Sequence, residues 1–354
     1  MAKLSIVTAL VALSPFVSAQ CGAGTPDATV IGSDSSYTVT KGSSSVYSGT
    51  NYLAAIQAAL DAISSSERVS VIASGSIGAG TISITSGKIF EGCGTINAAL
   101  RPGKGAIESF NTVDVKIPYL TMTGDPYFGL RFYGTKGLTL GQITMNLSGG
   151  LGVRFDRDGA ANSNVKMDVI RVTGASSHAV ETWNIDGLTI NSVIAKDCGE
   201  CGLLLQTTTN ARVGLVDGNN VGASTGYATL RFANRNGRLI SGAYTNNIVI
   251  DKVVSRGGGR GFFCVSESGG ATITSLDLAN NGNDAILIEN CYGIIIKGGT
   301  VNGGRSVRLA ARDEFPNNRD HSITLKVDGT SVIESPCGEN IKWTLTGTGP
   351  RNIC

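Results

Sequence analysis

The chain has 354 residues, 41% of them hydrophobic and 16% charged, with 29 Lys+Arg against 27 Asp+Glu. A net charge of +2, with no basic run and no aromatic-interleaved basic stretch, argues against a nucleic-acid partner. Forty-eight Gly, together with abundant Ser, Thr, Asn, Val and Ile, argue for a β-rich chain with many turns. Gly breaks helices, and β-branched side chains pack well on pleated surfaces.

Residues 1–19 read as an export signal. Lys3 supplies the positive start, Leu4 to Val17 the apolar stretch, and Val17-Ser18-Ala19 a small-residue cleavage site. Ser14-Pro15 interrupts the segment, which is short for a span, and no later stretch reaches the roughly 18 apolar residues of a membrane helix. Loss of the leader removes one Lys and leaves +1. The expectation is a secreted, extracellular protein with no membrane partner, acting as a monomer. Its eight cysteines, Cys21, Cys93, Cys198, Cys201, Cys264, Cys291, Cys337 and Cys354, all lie beyond the leader. An even number in an exported chain favours disulfides. Position alone suggests the pairs Cys21–Cys93 and Cys337–Cys354. Cys198-Gly-Glu-Cys201 has the spacing of a redox motif but no βαβ unit around it, so a local disulfide or pairing with other cysteines is expected. Asn146-Leu147-Ser148 is a glycosylation sequon.

A Ser/Thr/Gly-rich stretch (22–50) leads to one amphipathic helix, in which Leu53, Ile56, Leu60 and Ile63 share a face and Thr50 or Asn51 caps the start. Short strands follow, and they recur. Gly129-Leu-Arg-Phe-Tyr, Gly152-Val-Arg-Phe-Asp, Ala179-Val-Glu-Thr-Trp and Gly202-Leu-Leu-Leu-Gln each place a small residue before alternating apolar and polar positions. The pattern returns at Tyr227, Gly261, Ala285 and Ser306, with steps of 21 to 34 residues. Second strands are expected at 138–145, 165–173, 188–196, 213–216, 248–254, 273–278, 294–296 and 323–327. A period in the low twenties with two or three strands per unit is the mark of a solenoid. The Leu/Asn spacing of a leucine-rich repeat is missing, and a propeller blade needs about twice the residues. The expected fold is all-β: a right-handed parallel β-helix forming one domain over 20–354. The segment 49–63 caps its N-terminal end, regular coils run from about 129 to 332, and 333–354 caps the other end. The long step from 227 to 261 implies an inserted loop near 234–246, and Gly257-Gly-Gly-Arg-Gly261 reads as a coil corner.

Over roughly 49–332 the chain resembles the pectin lyase-like superfamily of right-handed parallel β-helices, secreted proteins that act on polysaccharides. The Ala-Ile-Gln-Ala-Ala-Leu-Asp-Ala helix, the coil period and inward positions such as Asn290 carry the likeness. The Asn-Thr-Asp, Asp-Asp, Gly-His-Gly and Arg-Ile-Lys set of polygalacturonase-type hydrolases is not found, nor are the strings of pectate lyases. The resemblance implies the architecture and leaves the particular family open.

Stacking the units converts the sequence into columns. With Val153, Val180, Leu203, Leu230 and Ile286 inward, one outward column reads Arg131, Arg154, Glu181, Leu204, Thr229, Phe263, Leu287, Arg308. The next reads Tyr133, Asp156, Trp183, Gln206, Arg231, Val265, Glu289, and the later coils look mainly apolar. Such a face suits a groove for an acidic polysaccharide. Tyr133 and Trp183 would lie against sugar rings, Arg131, Arg154 and Arg231 would pair with uronate carboxylates, and Gln206 would add a polar contact. An Arg154–Glu181 surface ion pair is the bland alternative.

Two reactions fit this face. In β-elimination, Arg154, Arg231 or a Ca²⁺ held by Asp156 and Glu181 would neutralise the uronate, and His178, beside Glu181, has the pKa of a base. In hydrolysis, Asp156 and Glu181 would act as an inverting pair. One rung of about 4.8 Å and an offset of about 6.7 Å combine to roughly 8 Å, inside the range of about 6.5–9.5 Å for that geometry. A polysaccharide lyase is the first expectation, with catalytic residues drawn from Glu181, Asp156, His178 and Arg231. An inverting glycoside hydrolase and a non-catalytic glycan-binding β-helix are the alternatives. Calcium, at Asp156 and Glu181, is the one candidate cofactor. Asp284 and Arg260 start their coils in line with His178, and extend the groove or cap turns.

Overall fold

A computed structural model describes residues 20–33 and 36–354, and the expected leader at 1–19 lies outside them. The repeated units form a parallel β-helix. Each turn gives one strand to a twelve-stranded sheet that runs from Ile82–Ser83 to Arg351–Asn352. Central members of that sheet are Phe128–Tyr133, Leu151–Phe155, Val180–Trp183, Leu203–Gln206, Ala228–Ala233 and Arg260–Cys264, all paired in parallel. The expected second strands lie in a 17-stranded sheet; those at 165–173 and 188–196, for instance, fall within Asn162–Thr173 and Ile185–Lys196.

Hydrophobic stacking holds the coils in register. Leu130, Val153, Val180, Leu203, Leu230, Phe262, Ile286, Val307 and Val332 pair rung upon rung, and every one is fully buried. Burial of a side chain of this size contributes roughly 1.5–3 kcal/mol, and a slip by one residue would turn the whole column to solvent. Polar residues close the corners. Asn111, Gly134, Asn184, Thr207, Asn234, Ser266 and Asn290 each turn the chain after a strand of the twelve-stranded sheet, with φ between 45° and 63°. Asn and Gly tolerate this left-handed conformation, which explains why a β-helix is rich in both. Asn290, as expected, is inward and fully buried, and its amide donates to the carbonyls of Arg312, Phe315 and Pro316.

The helix Tyr52–Ala62 covers the first coils with Tyr52, Ala55, Ile56, Ala59 and Leu60, and Asn51 Oδ1 caps it by accepting the Ala54 N–H at 2.9 Å. The Ser/Thr/Gly-rich stretch folds as three antiparallel strands, Ala28–Ser33, Ser36–Lys41 and Ser44–Gly49, that join the larger sheet. Its alternation is too polar to stand out in sequence. Coils also begin well before 129, and the expected C-terminal cap carries the last coil, since Lys342–Thr346 and Arg351–Asn352 continue both sheets in parallel. The inserted loop lies between Ala228–Ala233 and Ile248–Arg256, and Gly257 and Gly258 form a corner with positive φ.

Three disulfides are present: Cys21–Cys93, Cys337–Cys354 and Cys264–Cys291. The first two are the pairs that position suggested. The expectation for Cys198 and Cys201 is corrected, because both are free, buried thiols. Cys198 packs into the main core, and Cys201 into a smaller apolar cluster with Leu204, Ala228 and Phe263, so their side chains occupy different surroundings. Among the described residues no helix is long and apolar enough to cross a membrane. Asn146 is exposed on the strand Thr139–Leu147, where a glycan has room.

Candidate functional site

Register decides which side chains meet. The outward column reads Glu108, Arg131, Arg154, Glu181, Leu204, Arg231, Phe263, Leu287, Arg308. Arg231 therefore stands where Thr229 was expected, and Ala233 takes the place beside Gln206 that was assigned to Arg231. The error was one of two residues. It preserved the inward–outward alternation, but the inward pairing of Leu203 with Leu230 already sets Leu204 beside Arg231. The later coils carry the expected apolar face, with Leu204, Phe263, Val265, Leu287 and Ala310 in one cluster, and Arg231 and Arg260 lie against its Phe263.

The first half of the column is a chain of alternating charges. Arg131 pairs with Glu108 at 3.2 Å and with Asp156 at 2.7 Å. Arg154 Nε meets Asp156 Oδ1 at 3.3 Å, and Arg154 Nη1 donates to Glu181 Oε2. Glu181 Oε1 accepts the Trp183 indole N–H at 2.8 Å and the Gln206 amide at 2.9 Å, while Asn234 donates to Gln206 at 2.6 Å. Burial would raise the Glu181 carboxyl, but His178, Arg154 and the indole outweigh it and leave it below the ordinary carboxylate range.

This geometry changes the roles expected of Asp156 and Glu181. All four carboxylate oxygens accept N–H groups, and the Arg154 guanidinium bridges the two residues. Calcium takes six to eight oxygen ligands, so a shell of nitrogen donors does not fit it. Among the described residues the one cluster with metal-ligand geometry is Cys21, Glu91 and Cys93, whose cysteines form a disulfide. Hydrolysis by this pair needs one carboxyl that carries a proton and one that activates water, whereas every oxygen of both accepts an N–H group.

Two clefts of about 630 Å³ each meet at Tyr127, Phe128 and Arg154. One is lined by Arg131, Tyr133 and Asp156, and Tyr133 stacks on Phe110 with centroids 4.1 Å apart. The other is lined by His178, Glu181, Glu200 and Ser177. Trp183 and Gln206 line neither. Gln206 is buried behind Glu181, and Arg157 lies 5.9 Å from the Trp183 ring centroid.

Glu200 is the residue that sequence reasoning missed. It sits inside Cys198-Gly-Glu-Cys201, a segment conspicuous for its cysteines, and register carries that turn next to His178. Glu200 Oε2 lies 3.0 Å from His178 Nε2 and accepts the Ser177 hydroxyl at 2.5 Å, whereas Oε1 accepts no hydrogen bond among the described residues. His178 Nδ1 accepts the Cys201 backbone N–H at 3.0 Å, so the ring proton belongs on Nε2 and points at Glu200. Burial, against the pull of Glu181 and Glu200, lowers the His178 pKa below its ordinary value. With one lone pair taken and the other nitrogen protonated, His178 orients Glu200 and is not itself poised as a base.

From His178 a stack of rings and cations runs toward the later coils. The His178 and Tyr227 rings stack at 6.0 Å, and Arg231 lies 4.2 Å from the Tyr227 centroid and 4.9 Å from that of Phe263. Arg260 approaches Phe263 at 4.8 Å. Arg231 has no hydrogen bond or ion pair among the described residues, and its buried Nε is unpartnered. Arg260, which starts its strand, and Asp284, two residues before Ile286, lie in line with His178, as expected.

The chain is thus a disulfide-linked parallel β-helix with a charged, aromatic groove on one sheet. No family model, curated protein or solved structure matches it.

Proposed function

We propose that this protein is a secreted enzyme that cleaves an acidic, uronate-containing polysaccharide by β-elimination. The observation that carries the reading is Arg231. It is a half-buried guanidinium with no carboxylate partner, held between two rings and joined through Tyr227 to the His178–Glu200 pair. An unpaired planar cation in such a place suits a substrate carboxylate, which it would bind bidentately and neutralise. Neutralising the carboxylate acidifies the adjacent C5 proton. Glu200 Oε1 takes that proton, the C–H electron pair becomes the C4–C5 double bond, and the C4–O bond breaks with its electrons leaving on oxygen, which water protonates. His178 holds Glu200 in position, and Tyr127, Phe128 and Tyr133 offer apolar faces to sugar rings.

Three disulfides suit an oxidising compartment and therefore support secretion. The coil architecture and capping helix support the likeness to the pectin lyase-like superfamily. An inverting hydrolase built on Asp156 and Glu181 is less favoured, because both carboxylates are saturated by N–H donors.

The test is to follow ultraviolet absorbance of the unsaturated uronate and release of reducing ends in parallel, on a panel of acidic polysaccharides. Both signals rising together support elimination, and the responding polymer names the substrate. Reducing ends without absorbance would overturn it in favour of hydrolysis. Binding without either signal would leave a glycan-binding β-helix.

A further inference from the structure

The outer face of the twelve-stranded sheet divides into two electrostatic halves. On the N-terminal half every arginine of the column is compensated: Arg131 by Glu108 and Asp156, Arg154 by Asp156 and Glu181. On the C-terminal half Arg231, Arg260, Arg305 and Arg308 form no ion pair among the described residues. Two of these four are half-buried. Arg231 and Arg260 approach the same Phe263 ring, and the Nε of each is buried without a hydrogen-bond partner. Two like charges against one ring, each with an unpartnered Nε, make a positive site without an ion pair among the described residues; the one hydrogen bond of Arg260 runs from Nη1 to the Gly226 carbonyl. Burial, against the pull of Asp284, and then repulsion from Arg231 lower the Arg260 pKa. The nearby acids make their direct contacts elsewhere, Asp284 accepting the Ser306 hydroxyl at 2.6 Å and Glu289 pairing with Arg312 at 2.7 Å, so neither forms an ion pair with Arg231 or Arg260.

We propose that Arg260, Arg305 and Arg308 continue from Arg231 as a cationic track that takes further carboxylates of the same glycan, which makes the substrate a contiguous polyuronate. This rests on the reading of Arg231 given above. Arg231, Phe263, Leu287 and Arg308 occupy successive rungs of one column, so the track spans three rungs, roughly 14 Å. Arg305 and Arg308 are exposed at its far end, where a chain leaving the cleft would pass. A polymer whose carboxylates are separated by neutral sugars would leave part of the track unpaired. A run of uronates would fill it, and Phe263 would keep the two inner guanidinium planes fixed for bidentate contact.

The experiment is calorimetric titration of the Glu200→Gln protein with oligogalacturonates and oligomannuronates of three to six residues, and with their methyl esters. Affinity should rise with the length of the free acid and stay low for the esters. Arg260→Ala should weaken binding of the longer acids by at least about tenfold, the loss expected for a charge-assisted contact. Arg260→Lys should restore part of it, which separates the contact from a folding defect. Arg305→Ala with Arg308→Ala should remove the gain with length and leave the trimer unaffected. Affinity independent of length, or unchanged in these variants, would overturn the track whether or not the wild type turns over polymer. Length-dependent binding that these variants abolish, in a wild type that forms no unsaturated product, would keep the track and remove the lyase reading.

Discussion

His178 and Glu200 come from neighbouring turns, and their contact of 3.0 Å depends on the Cys201 backbone N–H, which occupies His178 Nδ1 and directs the Nε2 proton at the carboxylate. One peptide group therefore sets the tautomer of the imidazole and, through it, the orientation of Glu200. The other oxygen of Glu200 is left for chemistry.

Glu200→Gln keeps the shape and the contact to His178 while removing the proton acceptor. The turnover number on the responding polymer should fall by at least about a hundredfold, the usual contribution of a positioned base. A rate within a few-fold of wild type would take Glu200 out of the proton transfer.

Arg231→Lys keeps the positive charge but loses the planar fork and the stacking on Tyr227 and Phe263. Its KM for the free-acid polymer should rise by roughly tenfold. Steady-state kinetics on free-acid and methyl-esterified polymer check this, and equal effects on both would mean that Arg231 does not contact the carboxylate.

Glu181 has 7% of its side chain exposed and holds Arg154, Trp183 and Gln206 together. Glu181→Ala leaves the Arg154 cation without that partner, and the protein should lose about 3 kcal/mol of unfolding free energy, as when one half of a buried pair is removed. Denaturant unfolding measures it. A change below about 1 kcal/mol would make the pair an ordinary surface contact.

Acid should destabilise the fold through its buried imidazoles. Burial holds His321 neutral down to about 3, and His178 is shifted in the same direction. Near pH 6.5 the unfolded chain takes up these protons while the folded one does not, so stability falls as the pH drops below that value and continues to fall toward about 3. In His321→Asn, the side-chain oxygen replaces Nδ1 as acceptor for the Ile294 N–H, and the decline in Tm between about pH 7 and about pH 4 should flatten. An unchanged slope would place the acid sensitivity elsewhere.

Cys198 and Cys201 should count as two thiols among eight cysteines. Burial pushes their pKa values up to about 11 and about 12, so thiolate is scarce at neutral pH and reagents have no access. A thiol reagent should find none in the native protein and two after unfolding. Complete absence of thiols in the denatured chain would show a fourth disulfide.

The β-helix was legible because the coils repeat. Alternation within Gly152-Val-Arg-Phe-Asp and its counterparts, and the spacing between them, are properties of the chain itself, as is the apolar face of the helix Tyr52–Ala62. Cys21–Cys93 and Cys337–Cys354 were legible from position at the ends. The site was only partly so. Arg131, Arg154, Glu181 and His178 were recognisable as outward and polar, but their partners were not, because hydrogen bonding between turns depends on register and side-chain rotamer. Tertiary structure alone decided that Asp156 and Glu181 are saturated by arginines and that Glu200 emerges from between two cysteines. The physical reason is the length of the loops. An irregular turn can absorb residues while leaving the pleat intact, so sequence determines which face of a strand is wet, and only the packed coils determine which wet residues become neighbours.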